Sequence, residues 1–209
     1  MCGAEMGAAR SGQGAPREDT MAEQRMRYLG VNHVALVARD MAATVDFYEN
    51  VLEMPLVKTV EFANGRGQHF FFDCGGGGLI AFFWFPDAPP AAPGIASMHE
   101  DVRANGAMTA HASMNHLAIS IPLEKFDAYV ARLKSKKIRV YVINHDDSPA
   151  GGAAEMHDGV WIRSMYFRDP NGIHMELAAL TRAFRPDDVA HDPVNARGEH
   201  VPQKSPVVA

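Results

Sequence analysis

GVNHVAL at residues 30–36 and MNHLAIS at residues 114–120 read as one strand written twice. Each opens on an Asn-His pair and continues with alternating residues. In the first copy His33, Ala35 and Val37 share one face, and Val34 and Leu36 the other. In the second, His116, Ala118 and Ser120 oppose Leu117, Ile119 and Ile121. The large aliphatic faces suit packing on helices. The histidine faces carry small neighbours, which leaves space in front of each imidazole.

The repeat extends outward from these strands. Asp40 is placed to cap a helix over 41–52, with Phe47, Tyr48, Val51 and Leu52 on its buried side. Pro55 breaks it. Strand-like stretches Leu56–Phe62, His69–Asp73 and Leu79–Phe85 follow, with Gly-rich turns between them. No helix start follows Gly75–Gly78, so that run reads as a turn rather than a phosphate cradle. After the second opening strand, Asn115–Ile121, the spacing of Phe126, Val130 and Leu133 predicts a helix over 123–136. Strands then fit Arg139–Ile143, Trp161–Phe167 and Ile173–Ala178, the last two separated by the turn Asp169-Pro170-Asn171-Gly172. The unit is βαβββ, used twice. This predicts an α+β fold whose two modules, about 28–86 and 113–181, form a half-open barrel around a metal-centred cleft.

The remaining segments frame one domain over 27–182. Residues 1–26 lack a periodic apolar face and read as a disordered N-terminal extension; Met21 is a second candidate start. Residues 183–209 read as a C-terminal tail, and Pro86–Ala112, with PDAPPAAPG, as a long surface connection. Of the 209 residues 22% are charged and 47% hydrophobic, the balance of a soluble globular protein. A net charge of −5 without a basic stripe argues against nucleic-acid binding. Without a signal-peptide h-region or an apolar run of ~18 residues, a cytoplasmic protein with no membrane partner is expected. Cys2 and Cys74 are too few for a disulfide framework or a thiolate metal site.

His33, His116 and Glu176 are the candidate metal ligands. In the last strand His174 and Glu176 share the face opposite Ile173, Met175 and Leu177. Two imidazoles and one carboxylate can hold one face of an octahedral metal and leave the other face to a bidentate diolate and O₂. That set suits Fe(II) best, with Mn(II), Zn(II) and Ni(II) as alternatives.

The duplicated unit, the openings GVNHVAL and MNHLAIS and the closing run SMYFRDPNGIHMEL (164–177) resemble the vicinal oxygen chelate superfamily. That superfamily includes glyoxalase I, bleomycin- and fosfomycin-resistance proteins and type I extradiol dioxygenases. The stretch from His157 to Glu176 is similar to the signature of one-domain extradiol dioxygenases. The resemblance implies a metal-dependent enzyme that cleaves a catecholic aromatic substrate with O₂. It assigns His33, His116 and Glu176 as ligands, a Tyr166 hydrogen bond to bound catecholate, and a His157 contact with the substrate. It also implies a homodimer.

Two departures stand out. Glu155 replaces a small residue before His157, and the family's acid–base His is absent after Cys74. His69 is the nearest substitute, with His145 another. Aligning the Gly turns puts Phe82 where a glyoxalase-type site needs a fourth ligand, which disfavours that reaction. Two other readings use the same scaffold: a metal-dependent lyase, isomerase or hydrolase, and a metal-free protein that binds a planar small molecule.

Overall fold

A computed structural model of the chain describes residues 28–97 and 109–202. The N-terminal extension, part of the connection and the last residues of the tail lie outside the described residues. The order is β1 (His33–Val37), α1 (Met41–Asp46), β2 (Leu56–Phe62), β3 (Gly67–Asp73) and β4 (Leu79–Trp84). It then repeats as β5 (Leu117–Ser120), α2 (Phe126–Ser135), β6 (Tyr141–His145), β7 (Ile162–Arg168) and β8 (His174–Leu180). The fold is α+β, built from two βαβββ modules. Each module is a four-stranded sheet with the same strand order, β1-β4-β3-β2 and β5-β8-β7-β6. In each, the opening strand runs parallel to the last, and the other pairs are antiparallel. The two sheets remain separate ladders, so the barrel is not closed.

The register moves one expectation by a single residue. Ala35 pairs with Ala81 in the first sheet, and Ala118 with Glu176 in the second. The first-half counterpart of Glu176 is therefore Ala81, not Phe82. A one-residue slip reverses the face of a strand, and Phe82 is fully buried on the core side. No carboxylate stands at that position under either alignment. The same register matches Phe71, opposite Ala81, with Tyr166, opposite Glu176. It matches His69, opposite Phe83, with Ser164, opposite Ala178.

The core lies on the non-histidine faces of both sheets. Phe72, Ile80 and Phe82 supply it from the first, and Met165, Phe167, Met175 and Leu177 from the second. Tyr48 joins the two. Its ring lies 5.1 Å from Phe72 and 5.0 Å from Phe82, and its hydroxyl meets Met175 Sδ at 3.6 Å. Phe47, the preceding residue, packs at 6.4 Å on Phe167. Two adjacent residues both face the core because α1, capped by Asp40 Oδ1 on the Ala43 N–H at 3.0 Å, widens into a π-turn over Phe47–Val51. Arg132 of α2 donates to the carbonyls of Val51 (2.9 Å) and Asn50 (3.2 Å), satisfying acceptors at the end of that turn. Each sheet therefore turns its histidine-bearing face away from the shared core.

Turns before the closing strands hold the site in place. Gly75, Gly76 and Gly77 all have positive φ, and Gly78 N–H donates to the Gly75 carbonyl at 3.0 Å, which makes the Gly run a turn. In the second half Asp169 Oδ1 accepts from Asn171 N–H (2.9 Å) and Ile173 N–H (2.8 Å). Asp169 is buried, and burial raises its pKa against the opposing pull of these hydrogen bonds. Among the described residues no helix is long and apolar enough to cross a membrane.

Candidate metal centre

His116 Nε2 lies 2.8 Å from Glu176 Oε2. Glu176 is 4% exposed, and its other oxygen accepts the Ser164 hydroxyl at 2.5 Å. A buried carboxylate is costly unless its lone pairs are occupied, and here both oxygens have partners. Tyr166, beside Glu176 in the sheet, stands edge-on to His116 at 5.7 Å and stacks on His174 at 5.3 Å. Burial, followed by the charge of Glu176, pushes its pKa up to about 12. His174, opposite Arg168 in the ladder, is held low, first by burial and then by Arg168 and His116.

The two Asn-His openings share a device. His33 Nδ1 is 2.8 Å from Asn32 Oδ1, and His116 Nδ1 is 2.7 Å from Asn115 Oδ1. An amide oxygen only accepts, so each Nδ1 carries a hydrogen; His33 Nε2 then keeps its lone pair, while the 2.8 Å contact of His116 Nε2 with Glu176 Oε2 needs a proton or a metal between the two atoms. Such a partner fixes the ring orientation and tautomer of a ligating histidine. The Asn roles were missed in sequence, although both stood beside the candidate ligands.

His33 stands on the outward face of the first sheet, 5.8 Å from the Phe71 ring. His69 shares that face, 4.2 Å from Phe71 and stacked on Phe83 at 3.6 Å. Burial and the nearby His33 lower its pKa, which keeps it neutral near pH 7. Among the described residues no group of three or more His, Cys, Asp and Glu side chains is close enough to hold a metal ion. His116 and Glu176 form a pair that His33 does not join within one chain.

His157 is engaged elsewhere. Its Nδ1 accepts the Gly159 N–H at 3.1 Å, so its Nε2 donates to Asp146 Oδ2 at 3.0 Å. His145 is better placed: its Nε2 lies 3.0 Å from the Tyr166 hydroxyl. A cavity of about 1560 Å³ lies away from these groups. Trp84, the Pro-rich connection, Met114, Arg168 and Ile173 line it. None of His33, His116 and Glu176 borders it, so the candidate centre follows the donor groups rather than the volume.

A family model described as the Glyoxalase/Bleomycin resistance protein/Dioxygenase superfamily matches residues 30–177. Among solved structures, a glyoxylase/bleomycin resistance protein/dioxygenase domain from Frankia sp. EAN1pec is similar at 16% identity and a TM-score of 0.52. The match covers 72% of this chain and 97% of that one. A glyoxalase family protein from Enterococcus faecalis is similar at 19% identity and a TM-score of 0.50, over 71% of this chain and 96% of that one. These likenesses concern the fold.

Proposed function

Because the chain belongs to the Glyoxalase/Bleomycin resistance protein/Dioxygenase superfamily, we propose that it is a metal-dependent extradiol-type dioxygenase that cleaves a catecholic ring with O₂. The observation that carries this reading is the donor set. Two histidines have Asn-bound Nδ1 atoms, which leaves each Nε2 as the ligating nitrogen, and a buried carboxylate stands 2.8 Å from one of them. That chemistry fits a 2-His-1-carboxylate site for Fe(II). Bound there, the metal would bring diol and O₂ together and carry electrons between them.

The protein's own groups do the rest. Ser164 holds Glu176 in place. Tyr166 meets the bound diol beside His116, and the aromatic rings next to His33 exclude water. His69, neutral and on the His33 face, is proposed as the proton acceptor, and His157 as a polar contact at the rim. His33 comes from a second copy of the chain, since each sheet turns its histidine face outward. Two copies related by a two-fold axis would then form two equivalent centres, each with His33 from one chain and His116 and Glu176 from the other.

Mixing variants tests this directly. His33→Ala and His116→Ala homodimers should each lose metal and activity. Subunit exchange between them would rebuild one intact centre per heterodimer, so metal content and oxygen uptake with catechol should return. A metal-loaded mixture that stays inactive across a catechol panel would reject ring cleavage. Mixing that restores no metal would reject the shared site. The catechol panel also separates the dioxygenase from non-oxidative chemistry on the same ligands.

A further inference from the structure

A neutral imidazole has one N–H and one bare nitrogen. His145 Nδ1 lies 3.0 Å from the Gly151 carbonyl oxygen, which can only accept, so Nδ1 carries the hydrogen. Nε2 is then an acceptor, and the Tyr166 hydroxyl 3.0 Å away donates to it. A phenol has one proton to give. Glu176 is a second acceptor beside Tyr166, but the bare Nε2 of His145 can hold the phenol oxygen at 3.0 Å only through the phenol's own proton. Once its proton points at His145, Tyr166 has only lone pairs for whatever binds beside His116.

We propose that His145 is a positioning residue that sets the polarity of Tyr166, so that Tyr166 meets a bound ligand as a hydrogen-bond acceptor. The inference rests on the metal-dependent site proposed above and specifies its ligand. The favoured molecule has an ionised oxygen beside a hydroxyl that still holds its proton, as in a singly ionised catechol. A ligand whose second oxygen is methylated or fully ionised leaves Tyr166 without a donor. A site built for one hydrogen-bonding pattern rejects an analogue that cannot supply it.

The arrangement follows from the fold. His145 ends β6 on the same face as Tyr166 and Glu176, where Tyr141 pairs with Tyr166 and His145 with Ile162. The strand then turns, and its return at Gly151 supplies the carbonyl. The Trp161 ring lies 6.3 Å from the imidazole, tilted by 38°.

Two measurements on the full chain test the proposal. Long-range nitrogen NMR without added metal should find His145 as the Nδ1–H tautomer, with an Nε2 shift that changes on Tyr166→Phe. An Nε2–H tautomer would overturn the proposal, whatever the chain binds. With Fe(II) under anaerobic conditions, catechol should bind more tightly than its monomethyl ether. His145→Leu should cut that preference about tenfold, a typical loss for one hydrogen bond to a charged ligand, and leave affinity for the ether within about twofold. An unchanged preference in His145→Leu would also overturn it. If catechol fails to bind the wild type, the proposed function fails, and the tautomer still decides the role of His145.

Discussion

At the scale of single residues, the proposed site depends on side chains that would not touch a ligand. Asn32 and Asn115 orient the two histidines, and Ser164 occupies one oxygen of Glu176. Removing such a partner from a metal-ligating histidine typically costs about 10–100-fold in affinity. Asn115→Leu should therefore weaken Fe(II) binding by about that factor, read by competition with a chelator, while the unfolding midpoint in urea moves little. Strand parity placed His116 and Glu176 on one face, and the structure brings that pair together, but it does not bring His33 to them within one chain. Ser164, Asn115 and His145 were not read as partners. A hydrogen bond across a ladder depends on register, and register follows from neither strand alone.

At the scale of elements, periodicity located the eight strands and both α-helices of the described residues but not their ends. The first helix extends to residue 51 as expected, yet its last turn is a π-turn, which no apolar spacing announces. The Phe82 assignment failed for a related reason: aligning glycine turns counts loop residues, whereas the ladder counts pairs. Helix ends also store correctable strain. Lys137, exposed just past α2, has φ 61°, and Ile138 N–H donates to the Leu133 carbonyl at 3.0 Å. This left-handed position after a helix suits glycine. Lys137→Gly should stabilise the chain by about 1 kcal/mol, the usual left-handed penalty for a residue with a Cβ, seen as a higher urea midpoint with an unchanged slope. Glu53, at φ 59°, is a poorer target because it also pairs with Arg132 at 3.0 Å.

At the scale of the whole molecule, one buried phenol links both halves. Tyr48 contacts both sheets, and burial, then the charge of Asp169, raises its pKa well above the ordinary 10.0. The folded chain therefore keeps this proton where the unfolded chain loses it. Its contribution is complete below pH 10 and lost as pH rises further. Stability should fall above about pH 10, and Tyr48→Phe should flatten that limb in urea titrations, even though it removes a 3.4 Å hydrogen bond to Asp169 at neutral pH. An alkaline limb as steep in Tyr48→Phe as in the wild type would exclude this origin. Duplication and family resemblance made the two-module plan legible in sequence. How the modules pack, with histidine faces turned outward, was not, because alternation tells two faces apart without saying what each will meet. Ala81, standing where Glu176 stands in the other half, gives the chain an internal control. Both copies retain the strand order and the Asn-His opening, so each half brings one proposed ligand histidine. They differ where Glu176, Ser164 and Tyr166 stand against Ala81, His69 and Phe71, so the proposed carboxylate ligand and its neighbours come from one half alone. Comparing the halves thus separates the duplicated part of the proposed site from the part that only one half carries.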